Sequence, residues 1–343
     1  MAPVKASEII KSSPSFTTLI DLASERLGGK VLYATDDFFA EKENLIKPGR
    51  GIIITDKYTD RGKWMDGWES RRKRIPGHDW AIIQLATPGR ITGFDIDTNF
   101  FLGNHPPFAS IEAVNITNQN TISDWGNVDL SWQEILTKSQ LDAGSQNFYA
   151  SQSNEIFTHL KLHMYPDGGI ARLKVYGEVF KNWDIISENE EVDLVAAENG
   201  GLAIACNDMF FSAMGNLIMP GRGINMGDGW ETKRNRILGN RDWVILKLGK
   251  SGTIGRIIVD TCHFKGNYPD TCSIEACHAE NDEDVLSNKV EWKTLLPPSK
   301  LSADHIHEFT NEVISIGKIS HVRLNIFPDG GISRLRLFGK IEK

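Results

Sequence analysis

Apolar and polar positions alternate along short stretches of this chain and then break at Gly, Pro or Asn. Trp80–Leu85, Ile91–Ile96 and Trp243–Leu248 are three such stretches. A period of two is the mark of a strand with one face buried, and their β-branched content suits a pleated, half-buried surface. The clearest case follows Pro166-Asp167-Gly168-Gly169, where Ile170-Ala171-Arg172-Leu173-Lys174-Val175-Tyr176-Gly177 sends Leu173 and Val175 one way and Arg172, Lys174 and Tyr176 the other. Pro-Asp-Gly-Gly is itself a turn: Pro presets φ, Asp bonds its own backbone, and Gly accepts positive φ. Short strands at this spacing predict an antiparallel sandwich. Helix is expected to be scarce: a turn across Asp21–Gly29 stopped by Gly, and one or two turns around Ser131–Leu136 and Leu301–Phe309. His159 and His321 fall on the polar side of their strands and are read as solvent-facing.

The same turn and strand return as Pro328-Asp329-Gly330-Gly331-Ile332-Ser333-Arg334-Leu335-Arg336-Leu337-Phe338-Gly339, and the correspondence runs back through the chain. Asn44–Gly51 matches Asn216–Gly223, Asp66-Gly67-Trp68-Glu69 matches Asp228-Gly229-Trp230-Glu231, and Asp97–Pro106 matches Asp260–Pro269. Two copies of about 160 residues are paired domains rather than a solenoid, whose repeats run about 20–50 residues. The organisation expected is an arm over 1–20, a first repeat over 21–180, an acidic linker over 181–192 and a second repeat over 193–343. The first copy alone carries about ten extra polar residues between Gly51 and Asp66, among them Lys57, Tyr58, Asp60, Arg61 and Lys63.

A length of 343 residues suits two domains, each with its own core. The formal charge of −7 offers no basic field for nucleic acid or an anionic membrane. Met1–Ile20 lacks the look of a signal peptide, and no apolar run approaches the ~18 residues of a membrane span. Four cysteines in this length are no disulfide scaffold. A cytoplasmic protein acting on a small molecule is the expectation.

The densest polar constellation is Asp-Gly-Trp-Glu followed by two arginines: Asp66, Glu69, Arg72 and Arg74 in the first copy, Asp228, Glu231, Arg234 and Arg236 in the second. A guanidinium fork matches a carboxylate or ureido oxygen, and a carboxyl with shifted pKa serves as acid or base. The plainer reading is a surface loop whose ions pair with one another around a core Trp. The second constellation is Asp260–Pro269, with Asn267 (Asn104 in the first copy) and with His263, whose ordinary pKa lies nearest neutrality. His263 aligns with Phe100, which cannot titrate; it could equally be a ring packed on Phe264. Arg172 and Arg334 sit on the polar face at a strand's start, within reach of a loop ligand, while turn chemistry accounts for Asp167 and Asp329. Cys262, Cys272 and Cys277 with His263 and His278 lack zinc spacing and are read as buried thiols. No spacing calls for a cofactor or assigns metal ligands, and a divalent metal stays open.

The Gly-Gly-Ile-x-Arg-Leu ending resembles the last strand of galactose-binding, discoidin-type jelly rolls, so the fold expected is all-β: two tandem jelly-roll β-sandwiches. Taken together, Asp21–Asn44, Asn44–Gly51 (NLIKPGRG), Asp66–Arg74 (DGWESRRKR), Gly227–Arg234 (GDGWETKR), Asp260–Pro269 (DTCHFKGNYP) and both PDGGI segments resemble allantoicase, the fungal form in particular. The resemblance covers about residues 20 to 343. It implies hydrolysis of allantoate to ureidoglycolate and urea, within allantoin and purine nitrogen breakdown. Under it Glu231 and His263 share acid and base roles, and Asp228 and Asn267 orient ureido N–H groups. Arg234, Arg236 or Arg334 clamps the carboxylate, and Asp329 joins the substrate-binding set. Glu69, Arg72, Arg74 and Asn104 form the matching first-copy surface, a degenerate site, a helper or half of a composite; the second copy is favoured. A homo-oligomer fits a metabolic enzyme, but no residue pattern sets its order. The residues alone leave two other classes open: a tandem binding module for a sugar or small anion, and an interaction scaffold.

Overall fold

The computed structural model describes residues 4–5, 13–116, 122 and 124–342. The chain forms two compact units, residues 1–180 and 181–343, each nearly all-β. In the first, one strand of 19 residues, Asp79–Asp97, organises the rest. Its N-terminal half pairs with Lys30–Ala34 and Ile156–Tyr165, and its C-terminal half with Gln146–Ala150 and Arg172–Val179. Phe108–Val114 and Gln133–Gln140 extend the first set, giving the order Gln133–Gln140, Phe108–Val114, Ile156–Tyr165, Asp79–Asp97, Arg172–Val179. The strand thus passes from one layer of a sandwich into the other. Ala81, Ile83, Phe94, Ile96, Leu162 and Leu173 pack between the layers with no exposure.

The second unit repeats this around Asp242–Asp260, also 19 residues, paired with Leu202–Cys206, Ile319–Phe327, Ile306–Phe309 and Arg334–Ile341. The sequence pattern suggested two strands, Trp80–Leu85 and Ile91–Ile96. They are one, because Thr87-Pro88-Gly89, which looks like a turn, is where the chain changes layer; the ladder shifts register beside it. Such bends are what irregular ladders provide.

Two expected helical turns are strands instead. Gln133–Gln140 pairs with Phe108–Val114, and Ile306–Phe309 with Ile257–Asp260. In the first, Ile135 and Leu136 are both buried across a register shift, which erases the alternation a strand normally shows. Sheet pairing overrides the local propensity here. The turn after Asp21 is a short 3-10 helix, Glu25–Leu27, ended by Gly28 at φ 105°.

His159 and His321 are not solvent-facing: they are 0% and 1% exposed. Each stands on a sheet's outer face, but chain folds back over it. Trp125 stacks on His159 at 5.2 Å between ring centres, and the helix Asp282–Leu286 sets Asp282 Oδ1 3.1 Å from His321 Nε2. Burial pushes the His159 imidazole down to about 4. The free thiols Cys262, Cys272 and Cys277 are buried.

Candidate active site

The Asp-Gly-Trp-Glu and Pro-Asp-Gly-Gly motifs, about a hundred residues apart, meet in a two-residue ladder in each repeat. Trp68 faces Ile170 and Glu69 faces Gly169; Trp230 faces Ile332 and Glu231 faces Gly331. Each Pro-Asp-Gly-Gly turn is entered through a cis proline and has its first glycine at positive φ, 143° at Gly168 and 135° at Gly330. Its aspartate accepts from the arginine loop: Lys73 N–H to Asp167 Oδ2 and Asn235 N–H to Asp329 Oδ2, both 2.8 Å. Its second glycine donates to the third motif, Gly169 N–H to the Asn104 carbonyl and Gly331 N–H to the Asn267 carbonyl, again 2.8 Å. A side chain there is impossible without repacking, since a Cβ on Gly331 would lie 1.9 Å from the Phe264 ring and one on Gly169 2.0 Å from Phe101.

This scaffold aims Glu and Asn at each other. Asn104 Nδ2 donates to Glu69 Oε1 at 2.7 Å, and Asn267 Nδ2 donates to Glu231 Oε1. Burial raises the Glu69 carboxyl above its ordinary range, with the Asn104 hydrogen bond opposing the shift. The Trp between the motif's acids is core: Trp68 and Trp230 are 0% exposed, each indole N–H donating at 2.8 Å to a carbonyl, of Asp36 and Asp208.

The first acid of the motif does something else. Asp228 Oδ2 receives Arg334 Nη2 at 2.8 Å and the Ile224 N–H at 3.1 Å; Asp66 Oδ2 receives Arg172 Nη2 at 2.8 Å and Ile52 N–H at 2.9 Å. Arg172 and Arg334 are each 3% exposed, not on a polar face as the alternation suggested. A strand's first residue enters the sheet from the loop, and here the loop closes over it. A third, unforeseen pair fixes the loop ahead of the motif, with Arg50 Nε 2.8 Å from Asp97 Oδ2 and Arg222 Nε 3.0 Å from Asp260 Oδ2. The recurring Pro-Gly-Arg-Gly was the signal that could have found it.

In the second repeat a cavity of about 580 Å³ opens over the Glu–Asn pair. Glu231, Asn267, Arg234 and Asp329 line it together with Tyr268 from the Asp260–Pro269 stretch; Phe211 and Asp270, which the sequence did not single out, also stand in the wall. His263 is not in that lining. It sits at φ 70°, its backbone N–H on Asp304 Oδ1 at 2.8 Å, and its ring Nε2–H donates to the Gly223 carbonyl at 2.8 Å. Arg236 is exposed and outside the lining as well. In the first repeat Glu69 and Asn104 share a cavity of about 420 Å³, whereas Arg72 and Arg74 line a separate one with Asp36 and Asp79. The extra residues there form a hairpin, Tyr58–Thr59 against Gly62–Lys63. Among the described residues no three His, Cys, Asp or Glu side chains are grouped to hold a metal ion, and no helix is long and apolar enough to cross a membrane.

The Allantoicase repeat family matches residues 20–180 and 192–342. A probable allantoicase of Photobacterium profundum is 50% identical over 327 residues, 95% of this chain and 97% of that protein. One of Pseudomonas fluorescens strain SBW25 is 48% identical, over 96% and 98%. The crystal structure of Saccharomyces cerevisiae allantoicase superposes with a TM-score of 0.79 at 38% identity, over 93% of this chain and 92% of that one. The specifically fungal likeness is not borne out, since these bacterial relatives share more identical positions than the yeast structure. With both repeats matched and near-half identity over almost the whole length, the chain belongs to the allantoicase family.

Proposed function

We propose that this chain hydrolyses allantoate to ureidoglycolate and urea, and that the second-repeat cavity is where it does so. Allantoate carries a carboxylate, a hydrogen and two ureido groups on one carbon. Releasing intact urea means breaking the bond from that carbon to one ureido nitrogen. The other ureido nitrogen pushes its lone pair toward the carbon, the departing nitrogen takes a proton, and water adds to the acyliminium left behind. Glu231 supports both proton movements: it gives the proton to the departing nitrogen and receives one from the attacking water, as a single acid–base group can. Asn267, pinned by Gly331 through its backbone, orients the ureido groups. Arg234 is the cation in the lining and anchors the carboxylate.

Asp228 and Arg334 act beneath the site rather than in it: each occupies the other, and together they hold the loop that carries Glu231. His263 likewise supports the loop from Gly223. The reading carries with it a place in allantoin and purine nitrogen breakdown and a cytoplasmic setting. The observation that bears it is the Glu231–Asn267 pair lining a cavity with Arg234, in a chain of this family.

The experiment is urea and ammonia release from allantoate by chelator-treated protein, repeated with added divalent metal. Urea without ammonia is the expected product, and Glu231→Gln should lower kcat about 100-fold or more. Absence of turnover in both arms would transfer support to a non-catalytic binding module.

A further inference from the structure

The two repeats share one framework, but they do not present the same charge. In the second repeat the cavity wall carries three carboxylates, Glu231, Asp270 and Asp329, against one lining cation, Arg234; Lys300, outside the lining, pairs with Asp270 at 2.6 Å and leaves Glu231 and Asp329 facing Arg234. In the first, the cavity over Glu69 and Asn104 carries that one carboxylate against two cations, Arg61 and Lys63. Both cations come from the hairpin that the second repeat lacks. Arg61 is anchored rather than loose: Nη1 donates to the Phe38 carbonyl at 3.1 Å, and the guanidinium lies 5.1 Å from the Phe38 ring centre. That leaves its other N–H groups for a ligand. The hairpin also covers what its absence exposes elsewhere. Phe38 and Phe39, set edge to face, are both 38% exposed, while the matching Phe210 and Phe211 are 70% and 61% exposed.

We propose that the first repeat holds a second binding site, for a compact carboxylate bearing ureido or amide groups, and that Arg61 and Lys63 make it the tighter of the two. The ligand class rests on the function proposed above; the site itself rests on the cavity. Arg61 and Lys63 take the carboxylate, and Glu69 accepts a ureido N–H. Asn104 Oδ1 accepts another, since its Nδ2 is already given to Glu69. Ile53, Phe39, Met65, Phe100 and Leu102 form the apolar side-chain remainder of the wall, and charge pairs strengthen where water is displaced. Phe100 in place of His263 does not disable the site, because His263 points its ring at a backbone carbonyl and lines no part of the other cavity.

The test uses the full chain and N-carbamoylglycine, which has the carboxylate and one ureido group but no second ureido group to be expelled. Calorimetric titration should show two binding events per chain. Arg61→Met with Lys63→Met should weaken the tighter event about tenfold or more and leave the weaker one. Arg234→Met should do the reverse. Raising salt should weaken the tighter event more. A single event that is lost in Arg234→Met and unmoved by the hairpin substitutions would overturn the proposal, as would no binding at millimolar probe. Binding of neutral N-methylurea as tight as the carboxylate would overturn the charge reading. Allantoate turnover by the wild-type chain separates the two questions. Turnover with one binding event sinks the second site alone, and two events without turnover sink the catalytic reading alone.

Discussion

Gly331→Ala is the substitution whose consequence the structure fixes most tightly. Its Cβ would stand 1.9 Å from Phe264 Cε1 and 2.2 Å from Cδ1. Carbon atoms rest at about 3.5–4.0 Å, so the ring or the turn has to retreat by about 1.5 Å. The ring cannot: Phe264 is 0% exposed, and its other edge lies against Gly229, where an added Cβ would be 2.8 Å away. Overpacking of this kind costs about 1–3 kcal/mol, and the upper end is expected where nothing yields. The turn that is pushed carries the N–H holding the Asn267 carbonyl and the ladder partner of Glu231, so turnover should fall with stability. Phe264→Ala alone should cost about 3–5 kcal/mol. If the collision is the cause, adding Gly331→Ala to Phe264→Ala should be nearly free, a coupling of about 1–3 kcal/mol in a double-mutant cycle. Urea unfolding followed by tryptophan fluorescence reads all four proteins, with Trp230 buried in the same repeat. A loss under 0.5 kcal/mol for Gly331→Ala, or strict additivity in the double variant, would refute the steric account.

Arg334→Met should destabilise the second repeat by about 3–5 kcal/mol, because it strands the buried Asp228 carboxylate, and Arg334→Lys should fall between, keeping charge but losing the fork; thermal melts check both. Burial beside Asp97 lifts the Asp95 carboxyl to about 7, so the folded chain keeps a proton there that the unfolded chain releases from about pH 4. That contribution to stability is full below pH 4, drains as pH rises to about 7, and is gone above it. Asp95→Asn keeps an acceptor for Gln146 and should therefore raise stability at pH 8, on the order of 2–4 kcal/mol, with little effect at pH 4; unfolding curves at the two pH values decide it. Trp230→Phe should cost about 1–3 kcal/mol by leaving the Asp208 carbonyl without its indole donor, and a melt equal to wild type would deny that bond its weight.

Much of this protein was legible in the chain itself. Duplication showed because motif and spacing are local properties, repeated residue for residue: Asp-Gly-Trp-Glu, Pro-Gly-Arg-Gly and Pro-Asp-Gly-Gly each occur twice. The β class followed from alternation and turn residues; the need for glycine at Gly169 and Gly331 did not, since it comes from the Phe101 and Phe264 rings packed against them. What the pattern could not carry was which partner each polar group would find. Arg334 meets Asp228 across 106 positions and Asn267 meets Glu231 across 36. Alternation says which face of a strand a side chain takes, but not whether a distant loop will cover that face, so Arg172, Arg334, His159 and His321 looked exposed and are buried. Charge counting found the arginines after Glu231 but not that only Arg234 lines the cavity, nor that His263 turns away from it. Sheet pairing between remote strands, rather than any neighbour in sequence, decides those positions, and it is there that the two repeats, alike in framework, become different in chemistry.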